Sequence, residues 1–157
     1  MHGRDRAKMT MDTPVFVSMT TANRQPYLLN ASCAEAVVTT IFYGRDQGWF
    51  ALKAFSVLPD EVQMVVVSGT QQPESILRSI RVETAPLLGA LVRTKGGVWD
   101  RRFRQQALRS ADMVRAQIES IHRMPVKLGL SERPSDFPFC SANPRFHAFL
   151  DRWDEAR

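Results

Sequence analysis

Phe55-Ser56-Val57-Leu58-Pro59-Asp60-Glu61-Val62-Gln63-Met64-Val65-Val66-Val67 is the stretch that decides the fold. An apolar run enters a Pro-Asp turn and a second run leaves it, which predicts two strands joined by a tight connection. Side chains alternate along a strand, so Glu61 and Gln63 project together from one face. Two polar side chains separated by one apolar residue are how a sheet face presents paired metal ligands.

Working towards the N-terminus, Val15 to Thr20 alternates as a strand and Ala22-Asn23-Arg24-Gln25-Pro26 ends it with turn chemistry. Ser32 with Glu35 forms a capping-box signature, and Ala34, Val37, Val38, Ile41 and Phe42 supply a helical stripe. Gly44 to Gly48 is expected to break that helix before a strand from Trp49 to Val57. Towards the C-terminus, Pro73-Glu74 opens a helix with Ile76, Leu77 and Ile80 on its apolar side, and Pro86 is expected to kink or divide it. Gly96-Gly97 is a turn, and a fourth strand runs from Val98-Trp99 towards Ala107-Leu108. Ser110 caps a helix bearing Val114, Ile118 and Ile121, with its stop expected at Pro125. A short helix is expected near Phe146 to Trp153.

The order β-α-β-β-α-β predicts an α+β, ferredoxin-like sandwich: a four-stranded antiparallel sheet with helices on one face, plus a C-terminal helix. The chain divides into a flexible N-terminal tail at 1–13, a domain at 14–141 and a C-terminal tail at 142–157. Its 157 residues, 44% hydrophobic and 24% charged, suit one globular domain with a real core. No apolar run approaches the roughly 20 residues of a membrane span, and MHGRDRAKMTMDTP has no apolar signal-peptide region. Cys33 and Cys140 have no Cys or His neighbours at zinc spacing, so the simple reading is a reduced, cytoplasmic protein.

Charge is unevenly spread. The net charge is +5, yet eleven Lys and Arg face four acids between Arg78 and Lys127, a local excess of +7. Such a half favours a polyanionic partner, and arginine suits bidentate phosphate contact. The alternative is a solvated surface without a partner.

Four collinear segments carry a family resemblance. The Leu58-Pro59-Asp60-Glu61-Val62-Gln63 turn and strand resembles the HUH segment (histidine, hydrophobe, histidine) of single-tyrosine transposases. Gly97-Val98-Trp99-Asp100-Arg101-Arg102-Phe103 is similar to the family's Gly-x-Leu-Trp-Gln-x-Arg-Tyr/Phe. Ile121-His122-Arg123-Met124-Pro125-Val126-Lys127-Leu128-Gly129-Leu130 is similar to Ile-His-x-Asn-Pro-Val-Arg/Lys-x-Gly-Leu, and Asp136-Phe137-Pro138-Phe139-Cys140-Ser141 to Asp-Tyr-Pro-Trp-Ser-Ser. With the first strand and its Asn23-Arg24 turn, the match runs from about Phe16 to Ser141 and resembles the REP-associated tyrosine transposase branch.

The resemblance implies cleavage of single-stranded DNA beside a hairpin, with a metal on two histidines and a tyrosine that forms a phosphotyrosine. This chain departs at each element. Glu61 and Gln63 replace the histidines, Ser120 stands at the nucleophile position, and Met124 stands where a polar residue completes the metal shell. Glu61 and Gln63 are a possible weak site for Mg²⁺ or Mn²⁺, whereas a thioether is a ligand these ions avoid. A serine reaches far less than a tyrosine, where about 1 Å of misplacement costs on the order of a hundredfold. No catalytic residue of the family is therefore intact, and no cofactor is expected unless a variant site is active. Tyr27 and Tyr43 have no pairing partner that would activate them.

The binding surface is better preserved. Arg101, Arg102 and Arg104 flank Trp99 and Phe103, with both rings expected in the core and the arginines on DNA. Arg24, Arg78, Arg81, Arg123 and Lys127 are the other candidate contacts. The expectation is a transposase-like protein that binds hairpin or single-stranded DNA without catalysis, as a monomer or homodimer, with no membrane and near the nucleoid. The alternatives are an active metal-dependent single-strand nuclease and a protein-interaction module.

Overall fold

The computed structural model describes residues 13–152, so all of the 1–13 tail except Thr13, and the end of the expected terminal helix, lie outside the described residues. The elements are β1 (Val15–Thr21), α1 (Ala31–Asp46), β2 (Phe50–Val57), β3 (Glu61–Ser68), α2 (Pro73–Val92), β4 (Trp99–Ala107) and α3 (Ala111–Lys127). The sheet has the order β2-β3-β1-β4 and every pairing is antiparallel. This is the ferredoxin-like βαββαβ arrangement that the order of elements predicts.

Alternation along the strands feeds two cores. Val17, Met19, Leu52, Met64 and Val66 turn to one face, where Val37, Ile41, Ile76 and Ile80 of α1 and α2 bury them. Phe16, Ala54 and Val65 turn to the other face, where Val114 and Ile121 of α3 cover them together with Leu108. The helix after the fourth strand thus lies on the face opposite α1 and α2. It packs on β2 and β3 and leaves the β1–β4 half of that face open. Each fully buried aliphatic side chain contributes about 1.5–3 kcal/mol.

The β2 edge is closed by the chain beyond α3. Val57 N–H donates to the Phe139 carbonyl at 2.8 Å and Ser141 N–H to Phe55 at 2.9 Å, so Cys140 pairs with Ser56 as a short added rung. Farther along, Leu52 N–H donates to the Asp151 carboxylate and Asp151 N–H to the Leu52 carbonyl, both at 2.8 Å. Arg45 holds the same carboxylate through two nitrogens at 3.0 and 3.1 Å. Phe146 is buried between them, stacked on Phe42 at 5.6 Å and edge-on to Phe55 at 5.0 Å. Covering an edge removes a template for unwanted pairing.

Several local expectations are corrected. The N-cap of α1 is Asn30, which accepts from Cys33 N–H at 3.2 Å, and Glu35 pairs with Arg145 instead of closing a box with Ser32. Gly44 does not break α1. It is buried inside the helix because a Cβ there would lie 2.5 Å from the Trp49 ring, and the left-handed Gly48 (φ 78°) follows the helix end. Pro86 does not divide α2; it sits on the exposed side, where water can serve the carbonyl that its missing N–H leaves free. Pro125 does not stop α3, which runs to Lys127 and is followed by Gly129 at φ 74°. The expected terminal helix is a 3₁₀ turn over Pro144–Phe149. No helix among the described residues is long and apolar enough to cross a membrane.

If this segment belongs to the cooperative unit, Phe146→Ala lowers the unfolding free energy by about 3–5 kcal/mol in urea denaturation. A loss under about 1 kcal/mol would mean that the segment is dispensable to the core.

Candidate nucleic-acid interface

Register builds the site. Glu61 stands opposite Thr20, Gln63 opposite Ser18, and Arg104 opposite Ser18 from the other side. All share the parity of Phe16 and Val65, so they project from the face that α3 covers: Ser18, Thr20 and Arg104 on the half it leaves open, Glu61 at its margin, and Gln63 buried behind Glu61. The result is a groove of about 430 Å³ lined by Ser18, Thr20, Asn23, Arg24, Glu61, Asp100, Arg102 and Arg104. A second hollow of about 460 Å³ lies beside it, lined by Phe16, Phe103, Arg104, Gln105 and Gln106. Arg104 borders both, with its guanidinium 5.8 Å from the Phe16 ring centre.

The turn after β1 is held under strain. Asn23 and Arg24 adopt φ of 54° and 51°, and a non-glycine residue there costs about 1–2 kcal/mol. Thr21 pins the turn by donating Oγ1–H to the Gln25 carbonyl at 2.7 Å and N–H to Asp60 at 3.0 Å. Ala22 N–H donates to the Val98 carbonyl at 2.7 Å, tying the turn to the start of β4. Arg24 is thereby aimed across the groove mouth, with Nη1 3.3 Å from Asp60 and 3.7 Å from Glu61. Gln63 Nε2 donates to Glu61 at 3.3 Å.

Asp100 accepts from Arg102 N–H at 2.8 Å and from its guanidinium at 3.3 and 3.2 Å. These bonds hold the Asp100 carboxyl below the usual carboxylate range. Arg102 itself is 90% exposed in its side chain.

The structure therefore gathers Arg24, Arg102, Arg104, Glu61 and Gln63 of the sequence candidates. Arg78 and Arg81 lie on α2, which packs on the other face; Arg78 is 3.9 Å from Glu74. Arg81 is half-buried, and burial followed by the charge of Arg78 lowers its pKa. Arg101 is exposed on β4, and Arg123 and Lys127 are exposed near the end of α3. Ser120 is half-buried beside the buried Ile121, and among the described residues no hydrogen bond joins it to Glu61 or Gln63. Trp99 turns towards α2, where its Nε1–H donates to Thr84 Oγ1 at 3.0 Å, and Phe103 packs on the main core. Tyr27 packs against that core as well, and Tyr43 stands edge-on to Trp49 at 5.6 Å.

Sequence reasoning missed Ser18, Thr20, Asn23, Asp100, Gln105 and Gln106 as groove residues. Parity carried the signal for three: Asp100 shares it with Arg102 and Arg104, and Ser18 and Thr20 match the polar positions of β3.

As ligands for a divalent ion, the pair at Glu61 and Gln63 does not fit. A carboxylate only accepts, so the amide of Gln63 turns its N–H towards Glu61 and not its oxygen towards a shared ion. The other neighbour of Glu61 is the Arg24 guanidinium. Among the described residues no three His, Cys, Asp or Glu side chains converge as a metal cage.

No protein-family model and no curated protein matches the sequence. Solved structures do. The chain has the fold of transposases of known structure. It superposes on a REP-associated tyrosine transposase bound to a REP hairpin with a TM-score of 0.69 and 21% identity, over 92% of this chain and 87% of that one. It also matches a putative transposase from Deinococcus radiodurans R1 (TM-score 0.51, 17% identity, 68% of this chain and 85% of that one). A bacterial tRNA(His) guanylyltransferase (Thg1)-like protein in complex with GTP shares the fold at a TM-score of 0.51 and 15% identity, over 87% and 78% of the two chains. One architecture thus carries more than one chemistry, and function has to be argued from the groove.

His122, in the segment after Ser120, packs between α3 and the segment that follows it. Its Nε2 lies 2.7 Å from Ser141 Oγ, which also accepts from Phe55 N–H at 3.0 Å, so it ties α3 to the closing segment. Burial, with His147 adding to it, pushes its pKa below 6.5. The unfolded chain therefore binds this proton more readily, and stability is full above about pH 6.5 and falls as pH drops towards the depressed native value. Urea melts at pH 7.5 and 5.5 should show that loss in the wild type and a smaller one in His122→Gln. Equal losses would contradict a buried neutral imidazole.

Proposed function

We propose that this chain is a DNA-binding protein of transposase fold that holds hairpin or single-stranded DNA in the open half of its second sheet face and does not cleave it. The observation that carries the reading is the convergence of Arg24, Arg102 and Arg104 on one groove. Phosphates meet the guanidinium groups, while Thr20, Gln105 and Gln106 offer neutral donors and acceptors to sugars and base edges. The REP hairpin bound by the structurally similar transposase supports the choice of DNA as the polyanion.

Absence of cleavage follows from the side chains. Ser120 stands where the resembling family has a tyrosine, and a hydroxyl of that length and acidity is a poor nucleophile for a phosphodiester. Glu61 is already engaged by Arg24 and Gln63. The protein acts without a cofactor, as an element-binding factor or a brake on strand transfer.

Fluorescence anisotropy of a labelled hairpin carrying a single-stranded tail, titrated across a salt series with chelator present, tests this. Binding should weaken steeply with salt, and Arg104→Ala should lower the slope by about one. Arg78→Ala, on the other face, should change it less. No binding at the lowest salt contradicts the reading and favours a protein partner. Metal-dependent nicking that Glu61→Ala abolishes contradicts the inactive site.

A further inference from the structure

We propose that Arg24 is the resident cation of this groove: it neutralises Asp60 and Glu61 on one side and presents its remaining donors to a DNA phosphate on the other. The inference rests on the DNA-binding reading for its ligand, though not for the assignment of the cation.

The geometry is specific. A guanidinium carries five N–H donors in a rigid fork. Arg24 uses Nη1 towards Asp60 and Glu61, at 3.3 and 3.7 Å, and its side chain is 58% exposed at the groove it lines, so the rest of the fork is open to a ligand there. Glu61 is only 12% exposed in its side chain, and such a carboxylate needs a positive partner. The chain provides that partner through two successive left-handed residues, Asn23 and Arg24, that follow Thr21 and Ala22, which are fastened to the Asp60 and Val98 carbonyls. Gln63 completes the arrangement by donating to the second oxygen of Glu61, which orients the carboxylate. An acid held between a neutral donor and a tethered cation has no need of a metal ion. A tethered cation is also present whatever the solution contains.

Two measurements test the assignment on the full chain. In the first, Mn²⁺ alone is titrated and free Mn²⁺ is followed by electron paramagnetic resonance. Wild type and Arg24→Lys should show no saturable site, while Arg24→Gln should gain one that is lost again in Arg24→Gln/Glu61→Gln. Saturable binding by the wild type that Glu61→Gln removes overturns the proposal, as does no gain in Arg24→Gln.

In the second, the hairpin oligonucleotide is bound with chelator present. Arg24→Gln should weaken binding by at least about tenfold, because it removes a charged contact and leaves two acids facing the phosphate. Adding Glu61→Gln should restore part of that loss. Undiminished binding by Arg24→Gln, or no recovery in the double variant, overturns the proposal. If no form of the chain binds DNA, the functional reading fails, and the Mn²⁺ titration still decides what holds Glu61.

Discussion

Alternation along β1, β3 and β4 commits every second residue to a sheet face that one helix covers only in part. The apolar residues of α3, Val114, Ile118 and Ile121, meet Phe16, Ala54 and Val65. Beyond them the β1–β4 half of the face is uncovered, and strand positions that reach water there can be polar without a burial penalty. Arg104 is exposed on that half, with Thr20 half-buried and Ser18 buried at its floor, and Glu61 of β3 stands at its margin in matched register, little exposed and paired with Arg24. The groove is thus a consequence of where α3 ends its cover, and the arginines around it are affordable only because of it.

The two edges of the sheet are treated differently. β2 is paired with Phe139 to Ser141 and clamped by Asp151, which Arg45 holds in place. β4 is the other edge, and it bears Arg101, Arg102 and Arg104. Charge on an edge strand discourages pairing with another chain and leaves it available to a polyanion.

Much of this architecture is legible in the sequence. The alternation from Phe55 to Val67 gave β2, the turn and β3, and the parity of Glu61 and Gln63 put both on one face. The misjudged points have physical causes that local propensity does not show. Gly44 looks like a helix breaker until the Trp49 ring is found against it, and Pro86 is tolerated because α2 places it on its exposed side. The closing segment is illegible locally because Phe146 and Asp151 are fixed by residues about a hundred positions away. For the site, composition counted arginines but could not see pairing. Arg102 is bound to Asp100 and Arg24 to Asp60 and Glu61, while Arg104 makes no ion pair among the described residues. A tally of charge therefore overstates how much is free to meet phosphate.

The central claim is that the open β1–β4 half of the second sheet face is where DNA sits. Mapping amide and arginine side-chain shifts by NMR during titration with a hairpin oligonucleotide tests it most directly. The account predicts changes centred on Ser18, Thr20, Asn23, Arg102, Arg104 and Gln106, with α1 little affected. Changes centred on α1 and α2, with the groove residues unmoved, would contradict it.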